Sequence, residues 1–164
     1  MATLIVEDGS IVSGANTYVT VAEFTQFCSD RNITITSTYG DESELLIQAM
    51  DYFEQQPFKG IKFIETQPLQ FPRSDFYLDG YLTDSDAIPQ LVKDAQITIA
   101  VSIMQGNDPL TTLDRSVKRE QIDVLEIEYM DNAGPSVIIR SISNIMRKLV
   151  VSSTMGSSFR TIRV

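Results

Sequence analysis

The sequence predicts a mainly α-helical protein with a small β component: a compact helical bundle bearing a β-hairpin or strand element and an extended C-terminal tail. Three observations predict it. Apolar residues recur at spacings of three and four in stretches that open on helix-start signals, the period changes to two after Val117, and the last residues alternate apolar with basic. At 164 residues and 43% hydrophobic, the chain suffices for one ordinary core and is short for two.

In chain order, "TLIV" at residues 3–6 reads as a short strand closed by the "EDGS" turn. Thr20 and Glu23 have the form of a capping box, in which each side chain satisfies the other's unpaired backbone amide. The helix they open carries Val21, Phe24, Phe27 and Cys28 on one face and stops near Asn32. Asp41 and Glu44 repeat the signal for a second helix, with Leu45, Leu46, Ala49, Met50 and Phe53 at helical spacing and Pro57 at or beyond its end. Pro89, at a first-turn position, begins a third helix whose Leu91, Val92, Ala95, Ile99, Ile103 and Met104 recur at three and four until Gly106 stops it.

In "VKREQIDVLEIEYMD", Ile122 and Val124 share one face while Ile127 and Tyr129 take the other phase. An uninterrupted strand keeps its phase, so a bulge or a turn divides two strands here. After "DNAG", a helix carries Ile138, Ile142, Ile145 and Leu149 on one face and Arg140, Asn144, Arg147 and Lys148 elsewhere. The expected organisation is a core over residues 1–131 with its β element at 117–130, a basic C-terminal helix over 132–152 and a docking tail over 153–164.

Charge is unevenly distributed. All 22 acidic residues and 8 of the 13 basic ones lie at or before Asp131, a net −14, and the other five basic residues give 132–164 a net +5. An acidic body with a basic end points to an interaction, either of the C-terminal helix with its own body or with a partner.

Catalytic chemistry is scarce. The chain has no His, which excludes Ser-His-Asp and Cys-His nucleophilic arrangements. One Cys, Cys28, allows no disulfide within the chain and no His/Cys metal set. No glycines fall in phosphate-loop spacing. The Asp residues of "DGYLTDSD" lack the Gly and Glu positions of a calcium loop, and read as a solvated turn with helix-capping Asp in preference to a metal site. The expectation is a protein that is not an enzyme and takes no cofactor. "MATLIVEDGS" has neither a basic start nor a long apolar run, so neither a signal peptide nor a membrane anchor is expected, and a reducing cytoplasm is the expected compartment.

The connection between the second and third helices runs for roughly 30 residues without a strand or helix signal, and loops of that kind usually bind something or belong to an assembly. It carries Phe58, Phe63, Phe71, Phe76, Tyr77 and Tyr81. Phe63 and Phe71 are expected in the core, and Arg73, Phe76 and Tyr77 at an intersubunit contact. Loop aromatics can also stack on single-stranded bases, but that use needs a basic groove, and Arg73 is the only basic residue between Lys62 and Lys93.

The succession "VEDGS…GANTYVTVAEF", "LLIQAMDYFEQQPFKGIKF", "QPLQFPRSDFYLDGY", "AIPQLVKDAQITIAVSIMQGNDPL" and "SVKREQIDVLEIEYMD" resembles a phage and prophage family. That family is labelled DnaT-like single-stranded-DNA-binding protein. The resemblance covers about residues 4–131 and is firmest at Pro72-Arg73, at Ile88-Pro89 and in the late VK…EY segment; Phe58 and Phe71 stand where the family often shows Trp. The architecture is also similar to the head-tail connector adaptors of tailed phages, small helical proteins with a β-hairpin that form a dodecameric ring under the portal.

The two resemblances imply different functions. The DnaT-like label implies a single-strand binder whose affinity comes from Lys and Arg on phosphates, which an acidic body opposes. The adaptor resemblance implies a virion neck protein assembled in the host cytoplasm, a homo-oligomeric ring between the portal protein and a downstream tail or neck protein. Double-stranded DNA would pass through its lumen without specific binding, and no membrane is involved. The charge distribution favours the adaptor as the expected function, with single-stranded DNA binding as the alternative. In the adaptor, Arg140, Arg147 and Lys148 face an acidic surface of a neighbour or the portal, and the β element offers an edge for pairing. The adaptor resemblance further implies docking on the portal through the C-terminus. Residues 157–164 are expected to add a strand to a portal sheet edge, with Phe159, Ile162 and the terminal Val164 on the apolar side and Arg160 and Arg163 pairing with carboxylates.

Overall fold

The computed structural model describes residues 2–110, 120–122, 125–127 and 137–151. The described residues form four helices, α1 (Val21–Asp30), α2 (Glu42–Phe53), α3 (Gln90–Met104) and α4 (Val137–Leu149). Three short antiparallel pairs accompany them: β1 (Ile61–Lys62) with β2 (Arg73–Ser74), β3 (Tyr77–Leu78) with β4 (Tyr81–Leu82), and β5 (Glu120–Ile122) with β6 (Leu125–Ile127). The protein is mainly α with a small β component, as its periodicity predicts.

Both capping boxes form. Thr20 Oγ1 accepts the Glu23 amide at 3.1 Å while Glu23 Oε2 accepts that of Thr20 at 2.8 Å. Asp41 Oδ1 accepts from the Glu44 amide at 2.9 Å, and Glu44 Oε2 returns the bond at 3.0 Å. Hydrogen bonds from the Ser43 hydroxyl and the Glu44 amide hold the Asp41 carboxyl down at about 2. Pro89 proves to be the cap of α3, with extended ψ of 139°, and not its first-turn residue. Gly106 stops α3 in the left-handed region at φ 82°, where a Cβ would meet the Tyr39 hydroxyl at 2.8 Å.

Helix α3 lies at the centre, packing against both α2 and α4. It buries Val92, Ala95, Ile99, Ile103 and Met104 as its periodicity predicts, and also Ile97, Ala100 and Val101, so it is enclosed nearly all round. Helix α4 belongs to this same core through Ile142, Met146 and Leu149. The described part of the basic C-terminal helix thus packs on the body, because a helix with an apolar stripe buries that stripe on the nearest apolar surface. One buried polar side chain ties three elements together. Gln96, fully buried, donates to Thr17 Oγ1 at 2.8 Å and to the Leu46 carbonyl at 3.0 Å, and accepts the Tyr18 amide at 3.0 Å.

Two sequence expectations change and a third is narrowed. The strand at residues 3–6 reduces to a single parallel bridge between Val6 and Thr17, because the Asn16 side chain takes over the ladder, accepting from the Ile5 amide and donating to the Thr3 carbonyl. The connection from α2 to α3, expected without regular structure, contains two of the strand pairs. In β5 and β6, Ile122 pairs with Leu125, so the phase slip marks a turn. Of the segment expected at 117–130, only those six strand residues are described.

Candidate nucleic-acid interface

The segment linking α2 to α3 is anchored by aromatic rings. Tyr18, Phe53, Phe58, Phe71 and Phe76 form a contiguous cluster with centroids 4.6 to 6.4 Å apart, mostly edge to face. Phe71 is in the core as expected. Phe76 is 1% exposed, which corrects its expected place at an intersubunit contact: its ring is interior to the subunit. Phe63 shows the converse, since the core place expected for it is not taken and its ring is exposed.

Arg73, also expected at an intersubunit contact, is 8% exposed and serves instead as an internal clasp. Its Nε donates to the Lys59 carbonyl at 2.7 Å, and its Nη1 donates to the Gln70 carbonyl at 3.2 Å and to Gln70 Oε1 at 2.8 Å. Its Nη2 donates to the carbonyls of Phe58 at 3.4 Å and Gly60 at 2.8 Å. Burial lowers the Arg73 pKa, while the nearby Tyr18 and Glu54 oppose that shift. With all of these donors spent on backbone and Gln70 oxygens, the guanidinium has little left for a partner. Gly60 is required beside it, at φ 73°, because a Cβ there would lie 2.6 Å from the Ser74 carbonyl oxygen.

Two ribbons rise from this clasp. Near β1 the exposed side chains are Ile61, Phe63 and Ile64, and on β3 and β4 they are Tyr77, Tyr81 and Leu82. Tyr77 is 55% exposed and Tyr81 81%. The β3–β4 hairpin turns on Asp79 and Gly80, both at positive φ (51° and 91°), the dihedral requirement of a tight two-residue hairpin. The Asp-Gly dipeptide between "FYL" and "YL" was the available signal for this hairpin, and reading it as a solvated turn missed the strands on either side.

Basic side chains gather at the foot of the hairpin. Lys148 Nζ lies 3.2 Å from Asp79 Oδ2, and Lys59 Nζ donates to the Lys148 carbonyl at 2.8 Å. Backbone bonds join the same elements: the Lys59 amide donates to the Leu149 carbonyl at 3.0 Å and the Val151 amide to the Pro57 carbonyl at 2.7 Å. Arg147 and Lys148 are exposed in the last turn of α4, where the helix dipole favours cations. Lys62 stands opposite Arg73 in the β1–β2 register. Asp79 stands among these cations, and Asp75, Asp84 and Asp86 of the same segment add further negative charge. The structure thus brings Tyr77, Lys148 and, on the backbone of α4, Arg147 to one region. The side chain of Arg140 and residues Phe159, Arg160, Ile162, Arg163 and Val164 lie outside the described residues.

Such a surface can stack flat rings and pair with anions. Among the described residues no group of three or more His, Cys, Asp or Glu can hold a metal ion, and no helix is long and apolar enough to cross a membrane. Cys28 is buried, and burial pushes its thiol up, away from the reactive thiolate.

The family model described as "Putative DnaT-like ssDNA binding protein" matches residues 2–164. No curated protein and no solved structure matches the chain.

Proposed function

We propose that this chain, which belongs to the family of DnaT-like ssDNA binding proteins, binds single-stranded DNA along the β3–β4 hairpin and the last turn of α4. The observation that carries this reading is the Lys148–Asp79 contact, which joins the basic last turn of α4, where Lys59 also bonds, to the hairpin that bears exposed Tyr77 on one face and exposed Tyr81 on the other. Bases stack on aromatic faces without regard to sequence, at about 1–3 kcal/mol per base, while lysines and arginines neutralise phosphates. Three cations on a single strand correspond to a slope of log K against log salt of about −2. Fluorescence anisotropy with a labelled oligothymidine, repeated over a salt series, tests this. Tyr77→Ala with Tyr81→Ala is expected to weaken binding at least tenfold, and Arg147→Ala with Lys148→Ala to flatten the slope by about 1.4. Binding that neither pair of substitutions changes would remove the hairpin from the interface.

A second reading, a structural head-tail connector of a tailed phage, is supported by the net −14 over residues 1–131. An acidic ring lumen repels the phosphates of passing double-stranded DNA and lets the genome slide. In that reading copies of the chain form a ring in the virion neck, between a portal protein and a tail or neck protein, with residues 157–164 docked on the portal. Neither reading involves catalysis or a cofactor. Co-purification with a portal protein, lost on deletion of residues 153–164, together with no oligothymidine binding at physiological salt, would favour the connector over the single-strand binder.

A further inference from the structure

The end of α1, the flank of α3 and α4 enclose an open groove of about 430 Å³ whose apolar walls include Phe27, Ile33, Leu91, Val101 and Ile145. An adjoining hollow shares Phe27, Arg31 and Asp94 with it and adds Glu23, Asp30 and Lys93. The charges there are unevenly paired. Lys93 is held by Glu23 at 2.8 Å, and the Arg31 guanidinium lies over the Phe27 ring at 3.5 Å. Asp30 and Asp94 accept only from neutral amides, those of Gln26 at 2.6 Å and Gln90 at 2.9 Å, and neither has a cation within ion-pair distance among the described residues. Asp94 thus lines the apolar trough and Asp30 the adjoining hollow, and among the described residues neither is in an ion pair.

The chain carries a segment of matching chemistry. In "FRTIRV", residues 159–164, Phe159 and Ile162 stand three apart, as do Arg160 and Arg163. The described chain ends at Val151, beside α4's last turn. From there to Phe159 an extended chain can span about 26 Å, whereas Ile145 lies only about 9 Å back along the helix axis. A link this short holds its end near its own body at an effective concentration on the order of millimolar, above that of a second copy at micromolar protein.

We propose that residues 159–164 dock intramolecularly in this groove, with Phe159 and Ile162 against its apolar walls and Arg160 and Arg163 paired with Asp30 and Asp94. The docked tail keeps its arginines from phosphates or another protein until a stronger partner displaces it. This contact is independent of which functional reading holds.

The chain has no Trp, so Phe159→Trp in the full-length protein supplies a single emission reporter. Its fluorescence is expected to be blue-shifted and several-fold less quenched by acrylamide than that of the same protein carrying Asp30→Lys and Asp94→Lys. Arg160→Glu with Arg163→Glu is expected to expose the indole equally, and combining both reversals to restore the shielding. Three results would each overturn the proposal: solvent-exposed emission from the parent reporter, shielding indifferent to the reversals, or shielding lost on dilution, which would assign the groove to a second copy's tail.

Discussion

The α2–α3 pair and the segment over residues 57–83 contribute to one core, yet they are held by opposite means. The helices satisfy their own backbones and need only an apolar stripe, so Leu45, Leu46, Ala49, Ile99 and Ile103 suffice. The irregular segment leaves carbonyls that no ladder takes up. Arg73 supplies donors for those of Phe58, Lys59, Gly60 and Gln70, and Gln67 for those of Leu69 and Pro72. The difference teaches that a loop can be made firm enough to present exposed rings when buried polar side chains stand in for missing secondary structure.

The comparison breaks most sharply at Arg73. Arg73→Met keeps much of the volume and removes every donor, and is expected to destabilise by about 3–5 kcal/mol in urea unfolding, as much as Phe71→Ala beside it. A much smaller loss would mean that ring packing alone holds the segment. On the helical side, Gln96→Leu leaves the buried Tyr18 amide unpaired, and is expected to cost about 1–3 kcal/mol in the same measurement.

Glu54 joins the two regions, accepting the Tyr18 hydroxyl and the Gln70 amide on the same oxygen, both at 3.1 Å. Burial raises its pKa above the ordinary 4.5, against the pull of those hydrogen bonds and of Lys62 and Arg73. The folded state therefore holds this proton more tightly than the unfolded chain, and stability falls as pH rises from below 4.5 through the folded-state value. Glu54→Gln, which keeps an acceptor in place, is expected to melt higher than the parent at pH 7, with the advantage vanishing below pH 4.5; thermal melts across that range measure it. The smallest effect on the fold is expected at the exposed tips. Tyr77→Ala and Tyr81→Ala should each change stability by no more than about 0.5 kcal/mol, so a larger loss would show that the hairpin is held by its outer face.

Local rules made much of the fold legible. Both capping boxes join residues three apart, so Thr20, Glu23, Asp41 and Glu44 could be read without knowing anything distant. The aromatic segment was harder. Phe76 and Tyr77 were expected on one contact, but consecutive residues of an extended chain point to opposite sides, and the β3–β4 register turns Phe76 inward and Tyr77 outward. Nothing in "SDFYLDGY" says which parity wins, because that depends on where Phe71 and Phe53 stand. Of the candidate interface, Arg147 and Lys148 were legible from charge, whereas Lys59 belongs to it only because β1 and α4 are stitched together.

The sequence by itself determined the helix starts, the mainly α class, the division into an acidic body and a basic end, and the absence of His-dependent chemistry, since each follows from composition or from residues within a few positions of one another. Only the tertiary structure decided that α3 is enclosed nearly all round, that α4 completes the core, that Arg73 is a clasp and that Tyr77 and Tyr81 face solvent. These are questions of burial, and burial is set by surfaces that meet across tens of residues of chain.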